Sequence, residues 1–326
     1  MKIAFFSSKS YDNEFFEKHN QTNELTFYEV SLNEASVRLA EGFDAICVFV
    51  NDKVDASIIK KLAQLGIKLI ALRCAGFNNV DLEAAKKENM TIVRVPAYSP
   101  HAVAEHAVAL IMTLNRKTHK AYNRVKEGNF SLEKLIGFDL FQKTIGVIGT
   151  GKIGEAFARI MLGFGCKVIA YDIFQSPNLI NLGVHYVSLD ELLAQADVIS
   201  LHCPLTEKTH HLIDNQAINK MKIGVMLINT SRGALIDTPA VVQALKNKKI
   251  GHLGLDVYEQ EGNIFFKDHS EEILVDDTLA RLMSFPNVLI TSHQGFLTEE
   301  ALTQIAVITL NNITAFEQGK KTGNEV

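Results

Sequence analysis

The chain has 326 residues, of which 47% are apolar and 21% are charged, and its formal net charge is −4. This length suggests about two domains with a core each, and the composition is typical of a soluble globular protein. The slightly acidic balance argues against a nucleic-acid-binding protein, which usually carries a basic face.

No segment has the pattern of a membrane or secretory protein. The longest apolar stretch, 102–114, contains Glu105 and His106 and is too polar to span a bilayer. The N-terminal apolar run ends at Phe6 and is too short for the core of a signal peptide. The four cysteines lie far apart with no C-x-x-C spacing, as expected for reduced thiols in the cytosol. We therefore expect a cytoplasmic protein without a membrane partner.

Apolar runs alternate with amphipathic segments from the N-terminus to about residue 97. This alternation predicts a parallel sheet with helices on its faces. The predicted strands are 3–6, 45–50, 68–72 and 91–95, and the predicted helices are 33–40, 55–65 and 81–87. The loop 73–77 follows a strand end, where open α/β sheets bind ligands, although a purely structural turn has the same spacing.

The segment Tyr98-Ser99-Pro100 interrupts this alternation. Ser99 suits the N-cap of a helix and Pro100 its first position, and apolar residues at helical spacing follow as far as Leu114. We expect a long buried helix here and place the passage into the second domain at its start. The polar stretch 116–141 is expected to be an excursion before the next strand.

A glycine-rich turn follows the first strand of the second domain. The apolar run 145–148 leads into Gly149, Gly151 and Gly154, spaced as G-x-G-x-x-G, and a helical pattern comes next. In such a turn the first glycine permits a tight bend, the second lets a pyrophosphate approach the backbone, and the third lets helix and strand pack closely. The N-terminus of the helix favours the negative charge of the pyrophosphate.

Asp172 ends the next apolar run, eighteen positions after Gly154. A carboxylate at this position can accept both ribose hydroxyls of NAD, whereas it would repel the 2′-phosphate of NADP. Neither 173 nor 174 is an Arg or Lys that could receive that phosphate. The sequence therefore predicts a dinucleotide-binding domain that prefers NAD.

Three ionisable residues follow later strand ends: Arg232, Glu261 and His293. The strands in this part are predicted at 198–201, 225–228, 252–255 and 288–291, with a final helix at 298–317. Arginine offers a planar fork of donors to a carboxylate, and histidine exchanges a proton near neutral pH. Glu261 would orient the imidazole and favour its protonated form. Together these residues suit hydride transfer at a 2-keto acid.

Each of these residues also has a structural explanation. A single histidine at a strand end is more often a hydrogen-bonded structural residue, Arg232 can cap a helix or bind cofactor phosphate, and Glu261 can face water. His210 and His211 are adjacent and would diverge on any regular element, so we expect them at the surface and predict no metal site.

The motifs together resemble those of the D-isomer-specific 2-hydroxy acid dehydrogenases over nearly the whole chain. The matching segments are 149–154 with Asp172, 229–233 (NTSRG), 254–259 (GLDVYE) with Glu261, and 292–294 (SHQ). The resemblance implies that Arg232, Glu261 and His293 are catalytic. It also implies an α/β fold of two doubly wound parallel-sheet domains with the active site in the cleft between them. A flavodoxin-like substrate domain would comprise 1–99 and 298–326, and a Rossmann NAD-binding domain would comprise 100–297.

Contacts with the NAD cofactor are implied by the same resemblance. Besides the three glycines and Asp172, they comprise Lys152, Ile153, Cys203, Pro204, Thr209, Thr230, Ser231, Arg232 and Asp256.

Within the family, the segments 72–79 and 95–98 and the insertion around Phe265-Phe266 are similar to the bacterial fermentative D-lactate dehydrogenases. By that similarity, Ala75 and Gly76 bind the substrate carboxylate alongside Arg232, and Tyr98 lines the pocket. His293 is the remaining substrate contact. The wider family usually has proline at the position of Gly262. The glycine here agrees with the lactate-specific branch of the family. The implied reaction is the reversible reduction of pyruvate to D-lactate by NADH. We also expect the protein to be a homo-oligomer, either a dimer or a tetramer.

Other functions remain open. A reductase of a different 2-keto acid, such as glyoxylate, hydroxypyruvate or a branched-chain acid, would carry the same residues in a pocket of different volume. An NAD-sensing binding protein would need the cofactor contacts but no residues for proton transfer. The presence of Arg232, Glu261 and His293 together therefore argues against such a protein. In formate dehydrogenases the histidine is paired with a glutamine, which Glu261 disfavours.

Overall fold

The computed structural model describes residues 1–326, except for the side chain of Asn263. The chain divides into two compact units. The first consists of Met1–Ser99 and Leu297–Val326, and the second of Pro100–Phe296. No helix in the described part of the chain is both long and apolar enough to cross a membrane.

The first unit is built on a parallel sheet. Its strands are β1 (Lys2–Phe5), β2 (Glu24–Phe27), β3 (Ala45–Val48), β4 (Leu69–Leu72) and β5 (Thr91–Arg94). Their spatial order is β2-β1-β3-β4-β5, which is the flavodoxin-like order. The helices of this unit are α1 (Ser10–His19), α2 (Ala56–Gln64), α3 (Leu82–Lys87) and α12 (Glu299–Glu317), with a 3₁₀ helix at Val37–Ala40.

Burial and capping explain these elements locally. The two central strands β3 and β4 are buried along their whole length, as continuous apolar runs in parallel sheets usually are. Helices α2 and α3 begin after Asp55 and Asp81, whose carboxylates accept the N–H groups of Ile58 and Ala84 at 3.0 and 2.9 Å. Such N-caps satisfy donors that the first helical turn leaves unpaired.

The second unit contains a larger parallel sheet. Its strands are β6 (Thr144–Ile148), β7 (Lys167–Tyr171), β8 (His185–Tyr186), β9 (Val198–Leu201), β10 (Val225–Asn229), β11 (Ile250–Leu255) and β12 (Val288–Ile290). Its helices are α4 (Pro100–Arg116), α5 (Thr118–Lys126), α6 (Lys152–Gly163), α7 (Pro177–Asn181), α8 (Leu189–Gln195), α9 (Asn215–Lys220), α10 (Thr238–Lys246) and α11 (Asp277–Ser284). Two 3₁₀ helices lie at Gly233–Leu235 and Glu261–Asn263.

The strand order of this sheet is β8-β7-β6-β9-β10-β11-β12, and every pair is parallel. Strands β7 and β8 follow β6 on one side of the sheet, whereas β9 to β12 follow it in order on the other side. This is the Rossmann arrangement, in which ligands bind where the order reverses, at the carboxyl ends of the strands. The predicted class of two doubly wound parallel sheets is confirmed.

Helices cover both faces of the second sheet. One apolar cluster joins Phe157 and Met161 of α6, and Leu110 of α4, to strand residues that include Met226 and Ile228. The opposite cluster joins helices α8 to α11 to strand residues that include Val225 and Leu227. Neighbouring residues of β10 thus pack into opposite clusters, as the two-residue period of a strand requires.

Several elements differ from the sequence-based expectations. Strand β2 and helix α1 were not anticipated, and the segment 33–40 forms only a short 3₁₀ helix at its end. Strand β2 has no fully buried residue, and α1 is rich in charged and polar residues, so neither carries a strong apolar period. The stretch 116–141, expected to be an irregular excursion, contains helix α5.

Candidate active site

The glycine-rich turn connects β6 to α6. Gly149 has φ +93°, and a Cβ on it would lie 2.5 Å from the backbone nitrogen of Cys203. A Cβ on Gly154 would lie 1.9 Å from the carbonyl oxygen of Gly149, so only glycine lets α6 pack this closely on the turn. Gly151 has open space where its Cβ would be. The first and third glycines are therefore required by packing, and the second leaves the backbone accessible to a ligand.

Asp172 follows β7 and lies against this turn. Its Oδ2 accepts the backbone N–H of Thr150 at 2.5 Å and the Thr150 hydroxyl at 3.1 Å. Its Oδ1 accepts the N–H of Phe174 at 3.0 Å. No Arg or Lys forms an ion pair with Asp172 within the part of the chain that the structure describes. The carboxylate is thus held beside the glycine turn without a neighbouring cation.

The loop after β10 is organised by Asn229. Its side chain accepts the N–H of Ser231 at 3.0 Å and donates to the carbonyl of Arg232 at 2.8 Å. The Ser231 hydroxyl donates to the carbonyl of Cys203 at 2.8 Å, which ties this loop to the one after β9. The hydroxyl of Thr230 is buried and has no hydrogen-bond partner among the described residues. An unpaired buried hydroxyl is costly, and it is available to a ligand.

Arg232 is half-buried at the start of a 3₁₀ helix, and its Nη1 donates to the carbonyl of Ser231 at 2.6 Å. The next residue, Gly233, is packed so tightly that a Cβ would lie 2.1 Å from the carbonyl carbon of Tyr258. This contact joins the Arg232 loop to the segment that leads to Glu261.

The remaining predicted cofactor contacts lie on neighbouring loops. Lys152 and Ile153 begin α6, where Lys152 is exposed. The Thr209 hydroxyl accepts the N–H of Thr206 and donates to the carbonyl of Pro204, both at 2.7 Å. Burial raises the pKa of the Cys203 thiol to about 11, so this cysteine stays protonated and is no nucleophile.

Glu261 and His293 are in direct contact. Nδ1 of His293 lies 2.7 Å from Oε1 of Glu261, and both side chains are mostly buried. The other carboxylate oxygen of Glu261 accepts the N–H of Tyr258 at 2.9 Å. His293 has φ +55°, and the ring of Phe266 lies 5.9 Å from its imidazole. The pair predicted from the strand ends is therefore brought together.

Asp256 is almost fully buried below the loop that carries His293. Its carboxylate accepts the Thr291 hydroxyl at 2.6 Å and the N–H groups of Gln294 and Gly295, each at 2.8 Å. Burial alone would raise the pKa of Asp256, but the hydrogen bond and charge of His106, 3.2 Å away, and the bonds from the loop together hold it below its ordinary value. Asp256 thus remains ionised and holds the loop in place.

The predicted substrate residues Ala75, Gly76 and Tyr98 belong to the first unit, whereas Arg232 and His293 belong to the second. The loop after β4 is held by Arg94, which donates to the carbonyl of Ala75 at 2.9 Å. In the described part of the chain, the N–H groups of Ala75 and Gly76 donate no hydrogen bond. Tyr98 is partly buried.

Some residues of the site gave no signal in the sequence. Thr150 contacts Asp172, and its hydroxyl accepts that of Tyr186 at 2.9 Å. His106 contacts Thr291 at 3.0 Å, although 185 residues separate them. Contacts of this kind depend on the tertiary fold, and no spacing rule reveals them. The geometry corrects one expectation, since the rings of His210 and His211 do not diverge but stack with centroids 3.9 Å apart.

The site fits a dinucleotide. The open backbone at Gly151, the carboxylate of Asp172 and the unpaired hydroxyl of Thr230 all belong to loops at the carboxyl ends of the strands around the point where the strand order reverses. These features are typical of a dinucleotide-binding protein of the Rossmann class.

Comparison with known proteins identifies the family. Residues 108–295 match the model of the D-isomer specific 2-hydroxyacid dehydrogenase, NAD binding domain. The chain is 56% identical to a 2-hydroxyacid dehydrogenase homolog of Haemophilus influenzae, over 100% of this chain and 99% of that protein. It is 51% identical to the D-lactate dehydrogenase of Escherichia coli over 100% of both chains. The structure of the Aquifex aeolicus D-lactate dehydrogenase complexed with NAD and lactic acid matches with a TM-score of 0.89 and 37% identity, over 99% of this chain and 98% of that one.

The chain belongs to the D-isomer-specific 2-hydroxyacid dehydrogenase family. It is an oxidoreductase with an NAD-binding domain, as its sequence predicts.

Proposed function

We propose that this enzyme is a D-lactate dehydrogenase, which reduces pyruvate to D-lactate with NADH and runs the reverse reaction with NAD. The observation that carries the proposal is the contact of 2.7 Å between Nδ1 of His293 and Oε1 of Glu261. A protein that only binds NAD has no need for a buried carboxylate that orients an imidazole. The identity with the Escherichia coli D-lactate dehydrogenase over both full chains supports this choice of substrate.

His293 would exchange the proton of the reaction. Because Glu261 engages Nδ1, the Nε2 atom is the nitrogen that gives its proton to the keto oxygen of pyruvate and takes it back from the lactate hydroxyl. Glu261 fixes the orientation of the ring and is itself fixed by the N–H of Tyr258. Arg232 would bind the substrate carboxylate with its planar fork and polarise the ketone.

The cofactor would be held by loops of the second unit. Its pyrophosphate would lie over Gly151 at the N-terminus of α6, and its ribose hydroxyls would bind Asp172. The other contacts in this proposal are Gly149, Gly154, Lys152, Ile153, Cys203, Pro204, Thr209, Thr230, Ser231, Arg232 and Asp256. When bound, the nicotinamide supplies the hydride that pyruvate accepts at C2 and takes it back from lactate.

The first unit would serve as the substrate domain. The N–H groups of Ala75 and Gly76 carry no hydrogen bond within the described chain, so they are available to a carboxylate. Arg94 holds this loop through the carbonyl of Ala75, at 2.9 Å. Tyr98 would line the pocket and limit the size of the side chain on the 2-keto acid.

We place the enzyme in the cytoplasm, as a homo-oligomer. The support for an oligomer is a group of large apolar side chains that are exposed between α5 and β6. They are Phe130, Leu132, Ile136 and Phe141, each at least 65% exposed. A second copy that packs on this segment would remove these side chains from water, as happens at protein–protein interfaces. The state would be a dimer or a tetramer.

An assay of NADH oxidation across a panel of 2-keto acids tests the substrate. We expect pyruvate to be reduced with a higher kcat/KM than glyoxylate, hydroxypyruvate and branched-chain acids, and the product to be D-lactate. A higher kcat/KM for a bulkier acid, or formation of L-lactate, would contradict the proposal.

The catalytic pair is tested with His293→Ala and Glu261→Gln in the same assay. We expect His293→Ala to lose at least about 100-fold in kcat/KM, the scale of general acid catalysis. Glu261→Gln should lose less, because glutamine keeps the shape but not the charge. The matched control is His269→Ala, since Nδ1 of His269 lies at the same 2.7 Å from an oxygen of Glu272 on the surface. Equal activities of all three variants would rule out the pair.

A further inference from the structure

Two histidines and a glutamate outside the proposed catalytic set lie side by side in the second unit. His210 and His211 lie in the turn between β9 and α9, and Glu259 lies in the segment after β11. We call these three residues the His-His-Glu cluster. His210 is exposed, and the other two are partly buried.

The backbone explains why two adjacent imidazoles lie on the same side. His211 has φ +51°, in the left-handed region that turns the chain sharply. Its N–H donates to the carbonyl of Ala234 at 2.8 Å, which holds the turn against the next loop. The two rings consequently stack at 26°, instead of pointing apart as they would on a helix or a strand.

Potential metal-ligand atoms of the three side chains lie close together. Nε2 of His211 lies 2.7 Å from Oε1 of Glu259, and one ligand atom from each of the three residues lies within 4.8 Å of the others. Bonds of about 2.1 Å to a metal ion need ligand atoms within about 4 Å of one another. To meet this requirement, the exposed ring of His210 must turn out of its stack on His211, so that the nitrogen lone pairs of both rings can point to one ion. The ion would replace the proton between His211 and Glu259.

The carboxylate oxygen of Glu259 that does not contact His211 accepts a hydrogen bond of its own. The hydroxyl of Thr238, the first residue of α10, donates to this oxygen, Oε2, at 3.2 Å. The backbone of Glu259 packs against Gly233, where a Cβ would lie 2.3 Å from the Glu259 nitrogen. A ligand oriented by an outer hydrogen bond in this way is typical of metal sites.

We propose that the His-His-Glu cluster binds a first-row divalent cation of the Zn²⁺ type. Two imidazole nitrogens and one carboxylate oxygen suit Zn²⁺, Co²⁺ or Ni²⁺, whereas Mg²⁺ and Ca²⁺ prefer oxygen ligands alone. Three protein ligands leave a fourth position of the tetrahedron for water. The ion would link the turn that carries His210 and His211 to the segment that leads from Tyr258 to Glu261.

Binding of Zn²⁺ to untagged, chelator-treated protein tests the proposal. We expect equilibrium dialysis at neutral pH to give one Zn²⁺ per chain with wild-type protein. His210→Ala should weaken binding at least about tenfold, because it removes a ligand and the loss of an outer hydrogen bond alone costs that much. Thr238→Val should weaken it as well, since it removes the hydroxyl that orients Glu259. His210 is exposed, so its loss should not unfold the protein.

The matched control is His269→Ala. His269 also lies 2.7 Å from a carboxylate, that of Glu272, but no third ligand residue joins them in the described chain. This variant should bind Zn²⁺ as tightly as wild type. Co²⁺ provides a second readout, because the absorption of a four-coordinate site should appear in wild type and disappear in His210→Ala. Equal Zn²⁺ affinity of wild type and His210→Ala, or no binding by wild type, would overturn the proposal.

Discussion

At the scale of single residues, we expect the charge of Asp172 to decide which dinucleotide binds. Its carboxylate accepts the N–H of Thr150 in the glycine turn and the N–H of Phe174 in its own loop, and it has no cation beside it in the described chain. A 2′-phosphate brought to this carboxylate would meet a like charge. The expected preference for NAD over NADP therefore depends on one side chain. The position of that side chain could be predicted from the sequence because it follows from the glycine spacing.

We predict that Asp172→Ala narrows the preference for NADH over NADPH by about 1–3 kcal/mol, the scale of one partly exposed charge pair. The measurement is kcat/KM for each cofactor at saturating pyruvate. Asp172→Asn separates the two effects of the change, because it removes the charge but retains an oxygen for the loop N–H groups. Equal efficiency of the wild-type enzyme with both cofactors would refute the assignment.

The side chain of Arg232 should contribute more to the reduction of the substrate than to the binding of the cofactor. Arg232→Lys keeps the charge but loses the planar fork, so we expect a loss of about 2–4 kcal/mol in transition-state stabilisation of pyruvate reduction. The dissociation constant of NADH should change little. A suitable control is Arg159→Lys, whose guanidinium pairs with Glu155 at 2.8 Å on the surface of α6. A large loss of NADH affinity in Arg232→Lys would mean that the arginine acts mainly by binding the cofactor, which would contradict this prediction.

Secondary-structure elements were predictable where they are buried. Strands β3, β4, β6, β9 and β10 are apolar along almost their whole length, and all of them were expected from their runs of apolar residues. The half-exposed strand β2 was missed, because an edge strand needs no such run. The candidate site residues that follow these strands could be proposed for the same reason, since the strand end fixes where the loop begins.

The close packing of α6 on the glycine turn can be tested by comparing glycine-to-alanine substitutions at the two ends of this helix. We predict that Gly154→Ala strongly destabilises the protein and impairs NADH binding, because the new Cβ would lie 1.9 Å from a backbone oxygen that cannot move aside cheaply. Gly163→Ala, at the other end of α6, has open space around its Cβ and should stabilise the protein by about 0.5–1 kcal/mol. Urea unfolding measures both changes. Equal effects of the two substitutions would mean that the close approach at Gly154 is not needed.

For the whole molecule, the sequence predicted the class of fold better than the contacts that stabilise it. Alternating strands and helices restrict the topology to parallel sheets with right-handed crossovers. The hold of Asp256 on the His293 loop involves His106, which is distant in sequence, so it was not predictable. The sequence also did not show where side chains point at residues with a left-handed backbone conformation. The stacked rings of His210 and His211 are an example, because His211 has a positive φ.

The pH dependence of stability should likewise reflect a buried group that has no role in the proposed reaction. The ring of His202 packs on Phe157 with centroids 4.8 Å apart, its Nε2 lies 2.9 Å from the Ser200 hydroxyl, and burial lowers its pKa to about 3. An unfolded histidine has a pKa of about 6.5. The unfolded chain therefore takes up a proton below that pH while the folded chain does not, so stability is complete above about pH 6.5 and falls as the pH decreases toward 3.

We predict that the free energy of unfolding decreases by about 2 kcal/mol between pH 7.5 and pH 5 because His202 is protonated only in the unfolded chain. This magnitude follows because pH 5 lies about 1.5 units below the pKa of the unfolded histidine and well above that of the folded one. His202→Asn removes the titrating group, so its free energy of unfolding should fall by about 2 kcal/mol less than that of wild type over the same range. Urea unfolding at several pH values, followed by far-UV circular dichroism, gives both slopes. His185→Asn, at an exposed position of β8, should keep the wild-type slope. If His202→Asn also kept it, the imidazole of His202 would have to be protonated in the folded protein, and the acid sensitivity would come from other groups.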